Sequence, residues 1–242
     1  METTINVKQL SKTYDGILAV DNVNISVARG TVFGLLGANG AGKSTIIECI
    51  LGTKRQDSGE VSILGMNPQR ERKKLFEKVG VQFQEANYQE NIRVGELCEV
   101  TESLYKTTID YKVLLKQFGL SEKSKSLVNE LSSGQRQRLF IILALIPNPE
   151  IVFLDELTTG LDSKARRDVW NFLSYLKKQG LTILLTSHFM DEIEALCDEI
   201  CILKQGKTVF YGNVNEAILA SPFEKLEDAY LWYTEEFENE NI

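Results

Sequence analysis

The sequence lacks most of the features that would place a protein in a membrane or outside the cell. It has only four cysteines, none of them in a C-x-x-C pair, so a disulfide framework is not expected. The longest fully apolar run, residues 139–146, is far shorter than the roughly 20 residues that a membrane-spanning helix needs. The chain opens Met-Glu-Thr-Thr, without the basic and apolar segments of a secretion signal. These absences predict a protein of the reducing cytoplasm.

Histidine and net positive charge are also scarce. His188 is the only histidine, and a zinc site formed with Cys197 and Cys201 is one alternative, but no fourth ligand is evident and the spacing matches no common zinc pattern. The formal net charge is −7, and the acidic C-terminal residues 221–242 contribute −6 of it. Because the rest of the chain is nearly neutral and carries no basic stripe, we expect no nucleic-acid partner.

The arrangement of apolar residues predicts an α/β fold. The N-terminal part, to about residue 37, alternates apolar and polar residues with turn signals at 15–16 and 29–30, which indicates antiparallel strands. Short apolar runs are typical of buried strands in a mainly parallel sheet, and helical sequence follows each of them. These runs cover residues 32–36, 151–154 and 182–186.

The helical pattern is concentrated in the middle of the chain. Helices are predicted near residues 94–105, 111–118 and 135–146, and Gln205-Gly206 is a predicted hairpin turn. We therefore predict one domain, residues 1–220, that has an antiparallel N-terminal β subdomain and a helical insertion at about 85–146. The acidic tail, residues 221–242, follows it.

A glycine-rich segment supplies the strongest functional signal. Residues 37–44 read Gly-Ala-Asn-Gly-Ala-Gly-Lys-Ser and fit the phosphate-loop pattern G-x-x-x-x-G-K-[ST], between a predicted strand and a predicted helix. The glycines let backbone N–H groups turn toward phosphate oxygens, and the helix N-terminus adds its positive end. The lysine would reach the β- and γ-phosphates, and the serine hydroxyl suits Mg²⁺. We predict that ATP and Mg²⁺ bind through Gly37, Asn39, Gly40, Gly42, Lys43, Ser44 and Thr45.

A pair of carboxylates follows the apolar run at residues 151–154. Asp155 would hold Mg²⁺, usually through water, so that Ser44 and Asp155 share the ion. Glu156 would point to the opposite side of the extended chain and polarise the water that attacks the γ-phosphate. The alternative is a strand that runs into solvent with surface acids, which the phosphate loop upstream disfavours.

Residues 131–135, Leu-Ser-Ser-Gly-Gln, resemble the LSGGQ signature of the ABC ATPases and precede an apolar helix. N–H groups of Ser132, Ser133 and Gly134 would grip phosphate at that helix start, although a plain helix cap is the alternative. The resemblance implies that two ATPase subunits pack head to tail, with each ATP between the phosphate loop of one and the signature of the other. Gln135 is expected to contact nucleotide, and Ser133 replaces a glycine of the family pattern.

Other landmarks of the same family follow the expected order. The resemblance implies that Tyr14 stacks on adenine, although an ordinary half-buried strand tyrosine is the alternative. It also implies that Gln84 contacts Mg²⁺ and senses the attacking water, with Gln82 as a weaker candidate.

Later in the chain, Asp162 matches the loop that crosses the dimer interface, and His188 matches the switch histidine that bonds the γ-phosphate. Leu157 stands where the family often has proline after the catalytic glutamate, so that turn is expected to be less rigid.

The resemblance covers about residues 5–212 and implies an ATP-hydrolysing transporter subunit. Its expected partners are a second, identical or related, ATPase subunit and a separate integral membrane subunit, which would hold it at the cytoplasmic face of the membrane. The 47 residues from Gln84 to Leu131 fit the helical subdomain of transporter ATPases.

Direction of transport rests on the C-terminal segment. Residues 226–231 are similar to the ending of ABC-2 exporters of drugs and antimicrobial peptides, which favours export, whereas a terminal helix packing on its own domain is the alternative. A second functional hypothesis is a non-transport ABC ATPase that acts in regulation or on ribosomes or nucleic acid.

Overall fold

The structure, a computed structural model, describes residues 2–82 and 88–234. The strands are β1 (Thr3–Tyr14), β2 (Ile17–Ala28), β3 (Val32–Gly37), β4 (Ser58–Ile63), β5 (Val79–Gln82), β6 (Ile151–Leu154), β7 (Thr182–Leu185), β8 (Glu199–Lys204) and β9 (Lys207–Gly212). The helices are α1 (Lys43–Ile50), α2 (Arg72–Leu75), α3 (Val94–Ser103), α4 (Tyr111–Gln117), α5 (Ser133–Leu145), α6 (Ser163–Lys178), α7 (Met190–Leu196), α8 (Val214–Leu219) and α9 (Leu226–Thr234).

Two compact units make up the chain. Among the described residues, the first contains 2–72 together with 186–234, and the second contains 73–82 together with 88–185. Parallel strand pairs occur in both units, which confirms the predicted α/β fold class.

An antiparallel sheet forms the N-terminal part of the first unit. Strand β1 lies in its centre, between β2 and β4, and buries residues such as Ile5 and Leu10. The β1–β2 turn is made by Asp15 and Gly16, which both have left-handed φ values of 48° and 82°. This geometry matches the right-handed twist of the two strands, so the predicted hairpin is confirmed.

Strands β3 and β8 form a parallel pair in the first unit. Every residue of β3 is buried, as expected for a strand covered on both faces. Strand β9 pairs antiparallel with β8 across Gln205 and Gly206, which confirms the second predicted hairpin. Helix α9 packs on β8 and α8 of this unit through Leu226 and Ala229, as the packing alternative predicts.

The second unit combines three parallel strands with the helical segment. Strand β6 lies between β5 and β7, and all of its residues are buried. Helices α3, α4 and α5 lie near the predicted positions. Helix α5 begins two residues earlier than residue 135 because Ser132 caps it.

The sequence raised the questions of disulfides, a zinc site and a membrane-spanning helix. None of the four cysteines forms a disulfide. Among residues 2–82 and 88–234, no group of histidine, cysteine and carboxylate side chains has the geometry of a metal site. Across those same residues, no helix has the length and apolarity needed to cross a bilayer.

Candidate functional site

The glycine-rich loop joins β3 to α1 within the first unit. The strand ends at Gly37 and the helix begins at Lys43, with the loop tip at residues 38–40 exposed. Gly42 caps the helix with a φ of 102°, and a Cβ there would lie 2.7 Å from the carbonyl oxygen of Ala19. Only glycine tolerates both the left-handed φ and the lack of room for a Cβ, so Gly42 allows the tight turn between the loop and the helix.

Lys43 folds back over this loop. Its Nζ donates to the carbonyl oxygens of Gly37 at 2.7 Å and Ala38 at 3.1 Å. Ser44 and Thr45 follow in the first turn of α1, where backbone N–H groups have no acceptor within the helix. The arrangement places a cation, a hydroxyl and a helix N-terminus together, which is the chemistry of a phosphate-binding site.

Tyr14 ends β1, opposite Ile17 of the hairpin. The ammonium groups of Lys12 and Lys54 lie 5.3 and 5.2 Å from the centre of its ring, within the range of cation–π attraction. The tyrosine is half-buried. Its predicted stacking on adenine stays a prediction.

The two predicted catalytic carboxylates follow β6 in the second unit. The N–H of Asp155 donates to the carbonyl oxygen of Gln82 at 3.1 Å, which extends the β5–β6 pairing by one residue. The strand has ended at Leu154, however, and Glu156 takes a left-handed φ of 51°. The predicted extended chain at Glu156 is therefore wrong, because a turn starts there.

This turn is held by several contacts. The carbonyl oxygen of Glu156 accepts from the N–H of Thr159 at 3.2 Å, and the Thr159 hydroxyl donates to the Glu156 carboxylate at 3.4 Å. Leu157 is fully buried. A left-handed backbone at a residue other than glycine costs roughly 1–3 kcal/mol and persists only where the surroundings enforce it.

Ser132 caps α5 in the manner of a capping box. Its Oγ accepts from the N–H of Gln135 at 3.2 Å, and its own N–H donates to Oε1 of Gln135 at 3.1 Å. Ser133 and Gly134 occupy the first turn, where N–H groups have no helical acceptor. The helix-cap alternative is thus correct for Ser132 and Gln135, and it leaves a phosphate contact possible at the same helix start.

The signature residues pack against the loop that precedes α6. A Cβ at Gly134 would lie 2.9 Å from the carbonyl oxygen of Gly160, and Ser133 is also adjacent to Gly160. Asp162 caps α6, since its Oδ1 accepts from the N–H of Ala165 at 2.8 Å. That hydrogen bond, a second from the backbone of Lys164 and the positive charges of Arg138 and Lys164 lower the pKa of the Asp162 carboxyl.

The remaining predicted residues fall in separate places. His188 is exposed and belongs to the first unit, two residues after Thr186. Ser187, beside it, accepts from the N–H of Phe189 at 3.0 Å and so shapes the turn that carries the histidine. Gln84 lies outside the described residues.

Sequence reasoning missed Gln137. Its side-chain Nε2 donates to the carbonyl oxygens of Glu156 and Leu157, both at 3.0 Å. The spacing in the sequence could have indicated it. Gln137 lies four residues after Ser133 and three after Gly134, so the three residues share one face of the helix.

A family model described as "ABC transporter" matches residues 20–159 of the chain, more than half of its length. The chain belongs to the ABC transporter family, as an ATP-binding subunit. The matched range contains the phosphate loop, the signature and the carboxylate pair, which agrees with the geometry described above.

Several named relatives and solved structures are similar to this chain. The Nod factor export ATP-binding protein I of Rhizobium etli is 37% identical over 221 residues, which cover 89% of this chain and 70% of the relative. An ATP-binding subunit of an ABC transporter has a similar structure, with a TM-score of 0.88, 26% identity and coverage of 96% of this chain and 100% of that one. A bacterial ABC transporter cassette solved as a dimer gives a TM-score of 0.78 at 27% identity, covering 86% of this chain and 98% of that one.

Proposed function

We propose that this ABC ATPase drives an export-type transporter by ATP-dependent, head-to-tail pairing of two ATPase subunits. The observation that carries the proposal is the presence of two helix N-termini with phosphate-binding chemistry in one chain. One follows the glycine loop of the first unit, and the other follows Ser132 in the second unit. In a head-to-tail pair, each ATP would lie between the glycine loop of one subunit and the signature of its partner.

Support for pairing and for export comes from the similar proteins. One related cassette has been solved as a dimer, and the Rhizobium etli relative is named as an export protein. The C-terminal segment adds nothing to this, because α9 packs on its own unit. Export therefore rests on the relative's name, and pairing rests on the related cassette and on the two phosphate-binding elements.

Each site residue receives a specific role in this proposal. Lys43 binds the β- and γ-phosphates once it exchanges its loop carbonyls for phosphate oxygens. Glu156 polarises the attacking water, and His188 contacts the γ-phosphate. Tyr14 stacks on adenine, and Asp162 contributes to the interface between subunits.

A magnesium ion fits the residues present. Ser44 offers a hydroxyl and Asp155 a carboxylate, the hard oxygen ligands that Mg²⁺ prefers, and Gln84 is the third proposed ligand. When bound, the ion would offset the negative charge of the β- and γ-phosphates.

The proposed partner in the cell is an integral membrane subunit, which would hold the ATPase at the cytoplasmic face of the membrane. Co-purification from detergent-solubilised membranes separates this proposal from the non-transport hypothesis. A stoichiometric membrane protein supports the transporter, and a soluble ribosomal or DNA complex would support the other hypothesis.

The Glu156→Gln variant tests the catalytic part of the proposal. It removes the carboxylate but keeps the size of the side chain, so we expect ATP affinity to persist while hydrolysis slows by roughly 10² or more. Glu122→Gln, on an exposed turn, makes the same chemical change outside the site and should leave the rate unchanged.

The same variant tests pairing. With ATP bound but not hydrolysed, Glu156→Gln should elute as a dimer in size-exclusion chromatography with Mg-ATP and as a monomer without nucleotide. Unchanged hydrolysis in Glu156→Gln would refute its catalytic role. A monomer under saturating Mg-ATP would count against pairing by the ATPase subunits alone.

A further inference from the structure

Gln137 links the signature helix to the turn that carries the proposed catalytic glutamate. It lies on α5, five residues after Ser132, and its side chain reaches from that helix to the turn after β6. Its Nε2 donates to the carbonyl oxygens of Glu156 and Leu157 at 3.0 Å each. Both contacts lie within the second unit, on residues that the family pattern treats as separate motifs.

We propose that Gln137 is a positioning residue, which orients Glu156 for hydrolysis by tying its backbone to the signature helix. The inference rests on the proposed role of Glu156. The contacts that carry the inference run from Gln137 Nε2 to main-chain carbonyl oxygens.

The chemistry of the contact is specific for a primary amide. The Nε2 group of glutamine has two hydrogens, so it can donate to two carbonyl oxygens at once, whereas Oε1 would repel them. Because Glu156 holds a left-handed φ of 51°, its conformation depends on enforcement by its neighbours. The two bonds from Gln137 supply part of that enforcement on consecutive carbonyl groups.

The residue after Glu156 is a leucine, which has no ring to restrain the backbone. Proline at that position would lock φ through its ring, whereas the φ of Leu157 has no such lock. The leucine side chain is buried, and its carbonyl oxygen accepts one of the two bonds from Gln137. The Gln137 side chain thus restrains the backbone at Glu156 and Leu157, which a proline at position 157 would otherwise do.

Helix α5 is a firm base for this contact. Its residues from Leu139 to Ile142 are buried, and Arg138 donates to the carbonyl oxygen of Phe118 at 2.8 Å. The helix start at Ser132 is fixed by the capping box. Gln137 therefore holds Glu156 at a set place relative to the signature of the same chain, so a shift of the signature would also shift the glutamate.

The test uses the full chain with Mg-ATP and the variant Gln137→Glu. This change keeps the size of the side chain and replaces the two-hydrogen donor by an acceptor that faces two carbonyl oxygens. We expect kcat to fall about 10- to 100-fold, the scale of a small displacement of a catalytic group, while ATP affinity by calorimetry stays within about twofold. Gln117→Glu makes the same change on an exposed helix end and should match the unaltered protein.

A second measurement shows whether Gln137 acts through Glu156. In the Glu156→Gln background, residual hydrolysis is followed by radiolabelled phosphate release over hours. Adding Gln137→Glu there should lower the rate by less than about twofold, because the group that Gln137 positions is already gone. If the melting temperature of Gln137→Glu shows misfolding, Gln137→Leu, which keeps a good helix former and also lacks the donor, replaces it in both measurements.

The outcomes separate the two proposals. An unchanged kcat in Gln137→Glu and Gln137→Leu, or a full multiplicative loss in the Glu156→Gln background, overturns the positioning role. So does a loss confined to ATP affinity. If Glu156→Gln alone has no effect on hydrolysis, the proposed role of Glu156 fails first, and that result is distinguishable from the others.

Discussion

Three side chains of the proposed site form hydrogen bonds with the backbone of their own chain: Ser132, Asp162 and Lys43. The family resemblance predicts that the same three residues contact a nucleotide or a second subunit. Ser132 and Asp162 cap helices, and Lys43 bonds carbonyl oxygens of its loop. A cap fixes the direction of the first-turn N–H groups without consuming all of them. The structural role of these residues is therefore compatible with their proposed functional role, and mutations will affect both.

The four cysteines are expected to differ in their reactivity toward alkylating reagents. Burial raises the pKa of the thiols of Cys49 and Cys201 to about 11 and that of Cys98 to about 12, whereas Cys197 is only partly buried. Because the thiolate is the reactive form, and because raised pKa values reduce the thiolate fraction near pH 8, we expect iodoacetamide to modify Cys197 first. Peptide mass spectrometry over time measures the order.

Raising the pH from 7 to 9 should leave labelling of the three buried thiols slow, because their pKa values lie at about 11 for Cys49 and Cys201 and about 12 for Cys98. Equal rates at all four cysteines in the folded protein would contradict the burial described here. Unfolding in urea is the control, since it should make the four rates similar.

Single residues were predictable from the sequence where a motif has fixed spacing. The phosphate loop joins β3 to α1 and the carboxylate pair follows β6, as expected, because their spacing encodes a local turn. The signature lies at the predicted helix start, but its residues from Ser133 onward already belong to α5. The turn at Glu156 was not predictable, since strand alternation gives no information beyond the last paired residue. Gln137 was missed because its partners lie 19 and 20 residues away in sequence.

Among the elements, α5 connects most of the proposed chemistry of the second unit. It starts at the signature, carries Gln137 in its second turn and is buried from Leu139 onward. Apolar residues around most of its circumference indicate a helix enclosed by other elements rather than one lying on a surface. Its placement depends on packing, which explains why the sequence located the helix but not its contacts.

Shortening a buried side chain of α5 should therefore destabilise the folded protein. Leu139 is fully buried, so Leu139→Ala should lower the free energy of unfolding by about 2–5 kcal/mol through lost burial and the cavity it leaves. Val113→Ala on α4, where the side chain is 50% exposed, is the control and should change it by less than about 0.5 kcal/mol. Urea unfolding followed by circular dichroism measures both, and equal midpoints would contradict the packing role of α5.

Element boundaries were the least predictable feature of the fold. Helix α5 begins before the predicted residue because Ser132 and Gln135 form a capping box, which apolar periodicity does not register. The strands and their hairpin turns were predicted more closely, because Asp15-Gly16 and Gln205-Gly206 provide the left-handed residues that short turns require.

At the scale of the whole molecule, the two units contribute different halves of the proposed chemistry. The first unit carries the glycine loop and His188, and the second carries the signature and the carboxylate pair. In the proposed function, the signature acts on the ATP of a partner subunit. Such an arrangement makes hydrolysis depend on assembly, as an arginine finger does in other ATPases and GTPases.

The signature can be altered without disturbing its own chain if the position is chosen from the structure. A side chain at Gly134 would collide with the carbonyl oxygen of Gly160, so Ser133, which is exposed and already has a Cβ, is the better site. Ser133→Glu places a negative charge where the partner's phosphate is proposed to bind, and Ser133→Gln is the uncharged control. Lys43→Ala, in contrast, damages the phosphate loop.

The most direct test is ATP hydrolysis by a mixture of Ser133→Glu and Lys43→Ala subunits after subunit exchange has been verified. Each variant alone should be nearly inactive, but a mixed dimer has one site with both lesions and one site with neither. We expect the mixture to regain part of the unaltered rate, with ATP occupancy at the intact site. A mixture that stays inactive and binds no ATP at that site would contradict the claim that two subunits share each ATP.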